Sequence, residues 1–434
     1  LLATGDYGPL RQTQNGDPLQ RPAAAAERSD PANAVRLRRV LVSGFRNIKQ
    51  VDLRSDARMV VLTGPNGAGK TNLLEALSFL SPGRGLRRAR LSELESVGPA
   101  AANAASSFGP GGWAVSAEAV TPEGVREIGT GRDPALSGAN DAADGEGEQG
   151  AGRERRIIRV DGATQRSQQA FSEVLSVVWL TPQMDGLFRD SSSGRRRFLD
   201  RLVLGFDPGH SARLAAYEQC LRQRSRLLKD GVNDTAWLAA LEDKLVNSGT
   251  AIAAARKQMV LQLDHAAGSG IGPFPSAGIG MECQISAWLD EMPAVEAEER
   301  FRWALADQRA RDRDNGGAGT GPHRADLNVL HLKNGQAAAL CSTGEQKALL
   351  ISILLAHARL LTAERGTVPL LLLDEVAAHL DEERRDALFK ELLALGAQTW
   401  MTGTDAEVFE SLGAEADHFA VADGEVSPKA RPIG

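Results

Sequence analysis

The eight residues GPNGAGKT, Gly64 to Thr71, constrain this chain more than any other stretch of it. They fit the spacing G-x-x-x-x-G-K-T and stand between a short apolar run, MVVLT, and a segment of helical periodicity, KTNLLEALSFLSPG. A strand that turns through glycines into a helix N-terminus is the context in which this spacing binds phosphate. Glycines let backbone N–H groups converge where side chains would intrude, and the helix N-terminus adds a favourable dipole. On this reading Gly64, Pro65, Asn66, Gly67, Ala68 and Gly69 wrap the phosphates. Lys70 reaches the β- and γ-phosphates, and the Thr71 hydroxyl ligates Mg2+. The implied cofactors are ATP and Mg2+, and the implied fold class is α/β.

Such a loop needs an acidic partner strand. The segment PLLLLDEVAAHLD supplies one: four leucines, then Asp374 and Glu375. A continuous apolar run reads as a parallel strand buried on both faces, and ligands bind beyond the carboxyl ends of such strands. Asp374 is expected to hold Mg2+, and Glu375 to polarise the attacking water. About three hundred residues separate the two halves, so the material between them reads as insertions in one α/β domain.

That material falls into recognisable parts. Residues 1–34 are polar and aperiodic and are expected to form a disordered arm. Residues 35–194 carry the phosphate loop and a run of weak strand signals (GWAVSAEAV, VREIGTG, RRIIRVDG) that suits an antiparallel meander. A low-complexity stretch over 132–155 has little to bury and reads as a mobile loop. Residues 195–320 turn helical, with apolar residues recurring at three and four, interrupted by a loop at AGSGIGPFPSAGIG. Residues 321–434 return to alternating helix and strand. The architecture is a mixed sheet with an antiparallel region plus a helical lid.

A second polar corner precedes the acid strand. CSTGEQKALLISILLAHARLL opens with small polar residues and becomes a long apolar helix. Ser342 followed by Glu345 makes a capping box. The same geometry, free N–H groups with a hydroxyl and a dipole, binds anions. One chain already has a phosphate loop, so this corner suits a nucleotide held by another subunit. ABC-type ATPases carry a signature sequence that this corner resembles, with Ser342, Gly344 and Gln346 matching its pattern. By the same resemblance Gln183 of TPQMDGLF stands at the Q-loop, sensing Mg2+, and Asp381 at the D-loop between subunits. Thr402 or Thr404 stands where many such ATPases carry a switch histidine.

Composition narrows the class. The net charge is −6, which argues against a general nucleic-acid sponge, yet arginines gather at 84–90, 195–201 and 222–226. Three scattered cysteines offer no C-x-x-C pair, so no zinc ribbon or disulfide scaffold is indicated. Without a signal-peptide pattern near the first residues or a long lipid-spanning apolar run, a soluble, cytoplasmic protein is expected.

Several segments together resemble the RecF family, bacterial recombination mediators with an SMC-like head. These are VLVSGFRNIKQVDL, GPNGAGKTNLLEALSFLSPGRGLR, RRRFLDRLV, YEQCLRQRSRLLK, GPHRADL, STGEQKALLISILLAHA and LLLDEVAAHLDEERRDALF, in the family's order. The resemblance implies an ATP-dependent homodimer on gapped DNA or double-strand/single-strand junctions. It further implies slow ATP hydrolysis and recombinase loading with RecO and RecR, near the nucleoid, with DNA binding as the main role. Arg87, Arg88, Arg90, Arg195, Arg196 and Arg197 then become candidate DNA contacts, since phosphates ask only for positive charge. The alternative is an ABC-type ATPase subunit of a membrane transporter, which would lack the GFRNIKQVDL opening. A nuclease would need a metal-binding domain that the short stretch after Asp374 does not accommodate.

Overall fold

The structure, a computed structural model, describes residues 34–96, 112–132, 156–231 and 234–429. The arm expected over 1–34 and the loop expected over 132–155 lie almost entirely outside the described residues.

In chain order the strands and α-helices are β1 (Arg36–Phe45), β2 (Ile48–Arg54), β3 (Met59–Thr63), α1 (Lys70–Ser78), β4 (Trp113–Thr121), β5 (Gly124–Arg132), β6 (Arg156–Val160), β7 (Ala163–Thr164) and β8 (Val177–Leu180). Then follow α2 (Ser192–Phe206), α3 (His210–Lys229), α4 (Thr235–Gly268), β9 (Ala277–Glu282), α5 (Gln284–Glu291), α6 (Ala294–Asp307) and α7 (Arg309–Asn315). The chain closes with β10 (Asp326–His331), β11 (Gln336–Ala337), α8 (Thr343–Arg365), β12 (Leu370–Leu373), α9 (Glu382–Leu395), β13 (Thr399–Gly403), β14 (Ala416–Ala422) and β15 (Glu425–Pro428).

Two six-stranded sheets face each other. One is the antiparallel meander β2-β1-β4-β5-β6-β7. The other has the order β15-β14-β3-β13-β12-β8, parallel from β14 to β8. β3, β12 and β13 are buried at every residue, which is why β12 and most of β3 read as continuous apolar runs. Buried Gln398 stitches the two sheets together: its amide accepts from Leu37 N–H and donates to the Leu37 and Ala57 carbonyls.

The alternation in β1 changes phase. A bulge between Leu37 and Arg39 puts Val40, Val42 and Phe45 in the core, where the simple period would have placed Arg39 and Leu41. The stretch expected as a plain loop before residue 281 also differs. Ala277–Glu282 forms a strand antiparallel to β10, with β11 as its third member. Its glycines hid the strand signal, and its partner lies some fifty residues downstream.

The helical part is not separate from the head. α4 has 34 residues, about 50 Å at 1.5 Å per residue. Its first half packs Leu238, Leu241, Leu245 and Val246 into a core with α3, α5 and α6. Its second half packs Met259, Val260 and Leu263 into the head's core beside α8. α2 also packs there, through Phe198, Leu199 and Leu202. By length and composition α8 is able to cross a membrane, but 78% of its most apolar window is buried inside the protein. It is a core helix beneath the parallel sheet.

Candidate nucleotide site

Parallel register brings the carboxyl ends of four strands to one edge. Thr63 pairs with Gly403, Met401 with Leu373, and Leu373 with Leu180. The segments leaving that edge are the phosphate loop, Thr402, the acid pair, and the turn that holds Gln183.

The phosphate loop needs its glycines for stated reasons. A Cβ at Gly64, φ 155°, would lie 2.1 Å from the Val421 carbonyl oxygen of β14, so only glycine lets the loop leave β3 there. A Cβ at Gly69, φ 114°, would press on the Asn47 amide. Lys70 is only 4% exposed and donates to the Gly64 and Pro65 carbonyls at 2.7 and 2.9 Å. The ammonium therefore sits inside the curl of the loop.

Asp374 is 5% exposed and joins both halves of the site. Its Oδ1 accepts from the Thr71 hydroxyl at 2.9 Å and from the Thr402 hydroxyl at 2.7 Å. The Thr402 oxygen accepts in turn from Glu375 N–H at 2.9 Å. Burial pushes the Asp374 carboxyl up; the Thr402 and Thr71 hydrogen bonds pull it down but do not prevail. A cation beside it would favour the carboxylate. The hydroxyl and carboxylate oxygens at Thr71 and Asp374 are hard donors, and few protein ligands plus phosphate and water oxygens is how Mg2+ is commonly held. The residues fit that ion, and no cluster of three His, Cys, Asp or Glu exists among the described residues to suggest a dedicated metal cage.

Glu375 adopts φ 50°, ψ 27°, a conformation a non-glycine residue rarely takes. Such backbone persists where neighbours hold it. Two neighbours do: Thr402 on its N–H, and Lys347 on its carbonyl at 3.4 Å. Lys347 comes from α8, is 5% exposed, and also faces Asp185 at 3.8 Å in the segment after Gln183. Burial depresses its proton affinity, while Asp185 and Glu375 sustain it. Lys347 was missed in the sequence. The available signal was a lone lysine opening an otherwise apolar helical run.

Ser342, Thr343 and Gly344 are exposed at the start of α8. Ser342 is the N-cap, with its Oγ accepting from Glu345 N–H and Glu345 Oε2 accepting from Ser342 N–H. Arg189 braces the corner by donating to the Cys341 and Ala339 carbonyls. Gln346, the third residue that matches the signature pattern, lies beneath these exposed residues. It is 1% exposed and its amide donates to the Cys341 carbonyl, so it shapes the corner from inside. Asp381 caps α9, accepting from Arg384 N–H, and is exposed. Gln183 is exposed in the short turn after β8.

The candidate DNA arginines divide. Arg195 forms a two-pronged pair with Asp326 at 2.6 and 2.8 Å, and Arg196 donates to the Ala325 carbonyl. These two bind α2 to the segment leading into β10, so both already have partners within the chain. Arg87 is likewise engaged, with Asn72 and with the fully buried Glu75, which Arg46 also holds. Asn72 continues this chain to Asn47, and Asn47 to the Ala68 carbonyl of the phosphate loop. Arg87 thus supports the loop from behind. Arg88, Arg90 and Arg197 are exposed, and Arg88 and Arg197 have no ion-pair partner among the described residues.

Comparison with known proteins agrees with this geometry. Residues 59–99, spanning β3, the phosphate loop and α1, match the model of an AAA domain family described as putative AbiEii toxin, Type IV TA system. The DNA replication and repair protein RecF of Mesorhizobium japonicum is 47% identical over 394 residues, covering 90% of this chain and 97% of that one. The chain belongs to the RecF family of DNA replication and repair proteins. RecF of Rhizobium etli is 44% identical over 397 residues, covering 90% of this chain and 98% of its own length. A solved structure of the recombination mediator RecF with ATP superposes with a TM-score of 0.74 at 23% identity, covering 92% of this chain and 98% of that one. A second, titled RecF-ATPrS in the RecFOR pathway, superposes at 0.75 and 22% identity, covering 92% and 99%. The shared fold is that of an ABC-type ATPase head with a helical lid.

Proposed function

We propose that this chain is an ATP-dependent DNA-binding protein of recombinational repair, which dimerises around ATP and hydrolyses it slowly. The observation that carries the reading is the linkage of Thr71, Asp374, Thr402 and Glu375. It joins a phosphate loop to an acid pair 303 residues away in one hydrogen-bonded unit. Thr71 and Asp374 would hold Mg2+, which would supply neutralising charge for the phosphates, and Gln183 is assigned to sense it. Glu375 stands beside that unit, one residue past the carboxylate, in position to orient water toward a γ-phosphate. The exposed Ser342–Gly344 corner supplies the second half of a composite site on a partner copy. The exposed Arg88, Arg90 and Arg197 supply sequence-neutral phosphate contacts. By family, the bound DNA is gapped or junction DNA in the cytoplasm, and RecO and RecR are the partners in recombinase loading.

Sedimentation of the Glu375→Gln variant tests this reading. Glutamine keeps the size and hydrogen bonding but loses the base, so hydrolysis is expected to fall roughly 10²- to 10⁴-fold. ATP should drive a longer-lived dimer, and gapped duplex should co-sediment with it. A variant that stays monomeric with ATP and ignores DNA sinks the proposal.

Lys347 adds a second test. Lys347→Met keeps the length and burial of the side chain but releases the Glu375 carbonyl. Hydrolysis should fall roughly 10- to 100-fold, as misplacement of a catalytic group does. ATP affinity, measured by calorimetry, should stay within about twofold, because no Lys347 contact reaches the phosphate loop. Equal losses of affinity and turnover would instead indicate general damage to the site.

A further inference from the structure

The helical part carries a pocket of about 430 Å³ that no feature of the nucleotide site explains. α3 lines it with Arg222 and Arg226; the loop after α7 lines it with Gly316 and Gly317; His323 and Arg324 close it. No carboxylate is among the lining residues. His323 adds no charge: burial lowers its proton affinity, its Nε2 donates to the Ala318 carbonyl, and its Nδ1 accepts from the Tyr217 hydroxyl. Arg324 donates to the same carbonyl through Nε and Nη2. Arg222 has 71% of its side chain exposed and, among the described residues, faces Glu218 at 3.8 Å. Arg222, Arg226 and Arg324 thus line a space beside a glycine-containing loop.

That loop is held rigidly. Gly317 N–H donates to the Asp312 carbonyl and Gly319 N–H to the Asp312 carboxylate. The other oxygen of that carboxylate accepts from fully buried Arg224, which also pairs with buried Glu242. Buried ion networks are costly and add little net stability, so one placed beneath an exposed glycine loop points to a required loop shape. Arg88 feels the charges of Arg197 and Arg84 and then that of Glu218, the carboxylate that also faces Arg222.

We infer that this pocket is a phosphate-binding site that receives a backbone phosphate of bound DNA. The inference rests on the DNA-binding reading above. Guanidinium groups take phosphate oxygens in pairs, and glycines without side chains let the sugar–phosphate chain approach.

The test uses the full chain, ATP and a fluorescent gapped duplex, with anisotropy read over a salt series. Arg222→Gln should weaken binding about 5- to 10-fold and lower the slope of log affinity against log salt by roughly one, the share of a single phosphate. Gly317→Leu changes no charge. Its backbone does not require positive φ and a Cβ there meets open space, so the fold is kept while the pocket fills. It should weaken binding to a similar degree. Arg302→Gln, an exposed arginine on α6 outside the pocket, should bind as wild type, and DNA-free ATP hydrolysis should be unchanged in all three. Wild-type affinity in both Arg222→Gln and Gly317→Leu, with Arg88→Gln weakened, overturns the pocket and leaves the DNA reading standing. Absence of DNA binding by wild type overturns both. Hydrogen exchange at residues 316–318 separates the phosphate sources. Protection by gapped duplex supports the inference; protection by inorganic phosphate alone at matched ionic strength, with none from DNA, makes it a free-phosphate site and overturns it.

Discussion

Lys70→Ala is expected to abolish productive ATP binding while leaving a folded protein. The ammonium lies inside the loop curl and donates to the Gly64 and Pro65 carbonyls. Pro65 is exposed and Gly64 half-buried, so water replaces the lost donor and the stability cost stays near 1 kcal/mol. Alanine also suits the first position of α1. What is lost is the charge that meets the phosphates. Two charge-assisted hydrogen bonds are worth about 3 kcal/mol or more together, about a hundredfold in affinity. Calorimetry with ATP and a thermal melt separate the two effects. A variant that binds and hydrolyses ATP normally would mean the loop is not the nucleotide site.

Ser342→Arg is expected to block ATP-driven pairing and hydrolysis without touching ATP binding by the single chain. Ser342 and Gly344 are exposed, and the phosphate loop of the same chain is built from other elements. An arginine at the cap fills the space that a partner's γ-phosphate would enter. Loss of the cap alone costs roughly 1 kcal/mol and predicts a normal ATP-driven dimer. Mixing decides between the two. A Lys70→Ala chain paired with a Ser342→Arg chain has one composite site with both parts intact and one with both lesions. Sedimentation of the mixture with ATP should recover pairing that neither variant shows alone. Normal homodimerisation of Ser342→Arg would leave the corner as a helix cap only.

Much of the nucleotide site was legible because its signals are local. GPNGAGKT needs its glycines within eight residues, and Gly64 and Gly69 meet their constraints at β14 and Asn47. LLLL before Asp374 and Glu375 reads as a doubly buried strand, and it is one. The capping box at Ser342 and Glu345 follows from spacing alone. Side-chain direction was less legible. Gln346 fits a signature pattern, yet the packing of α8 turns it inward to the Cys341 carbonyl. Arg195, Arg196 and Arg87 look like their neighbours Arg197 and Arg88 in a sequence. Only the approach of Asp326, Ala325 and Glu75, from far along the chain, gives them partners within the protein.

The sequence by itself determined which residues bear charge and hydroxyl groups, which strands are buried, and where the backbone turns on glycine. These properties depend on residues a few positions apart, and hydrophobic period and loop chemistry encode them directly. The tertiary structure alone decided which of those groups meet. Thr402 joins Asp374 to Glu375, Lys347 reaches the Glu375 carbonyl from another helix, and Arg222 stands beside the loop after α7. Such meetings depend on sheet register and helix packing between segments up to hundreds of residues apart. No local pattern carries that information, because burial and pairing are set by the partner surface as much as by the residue itself.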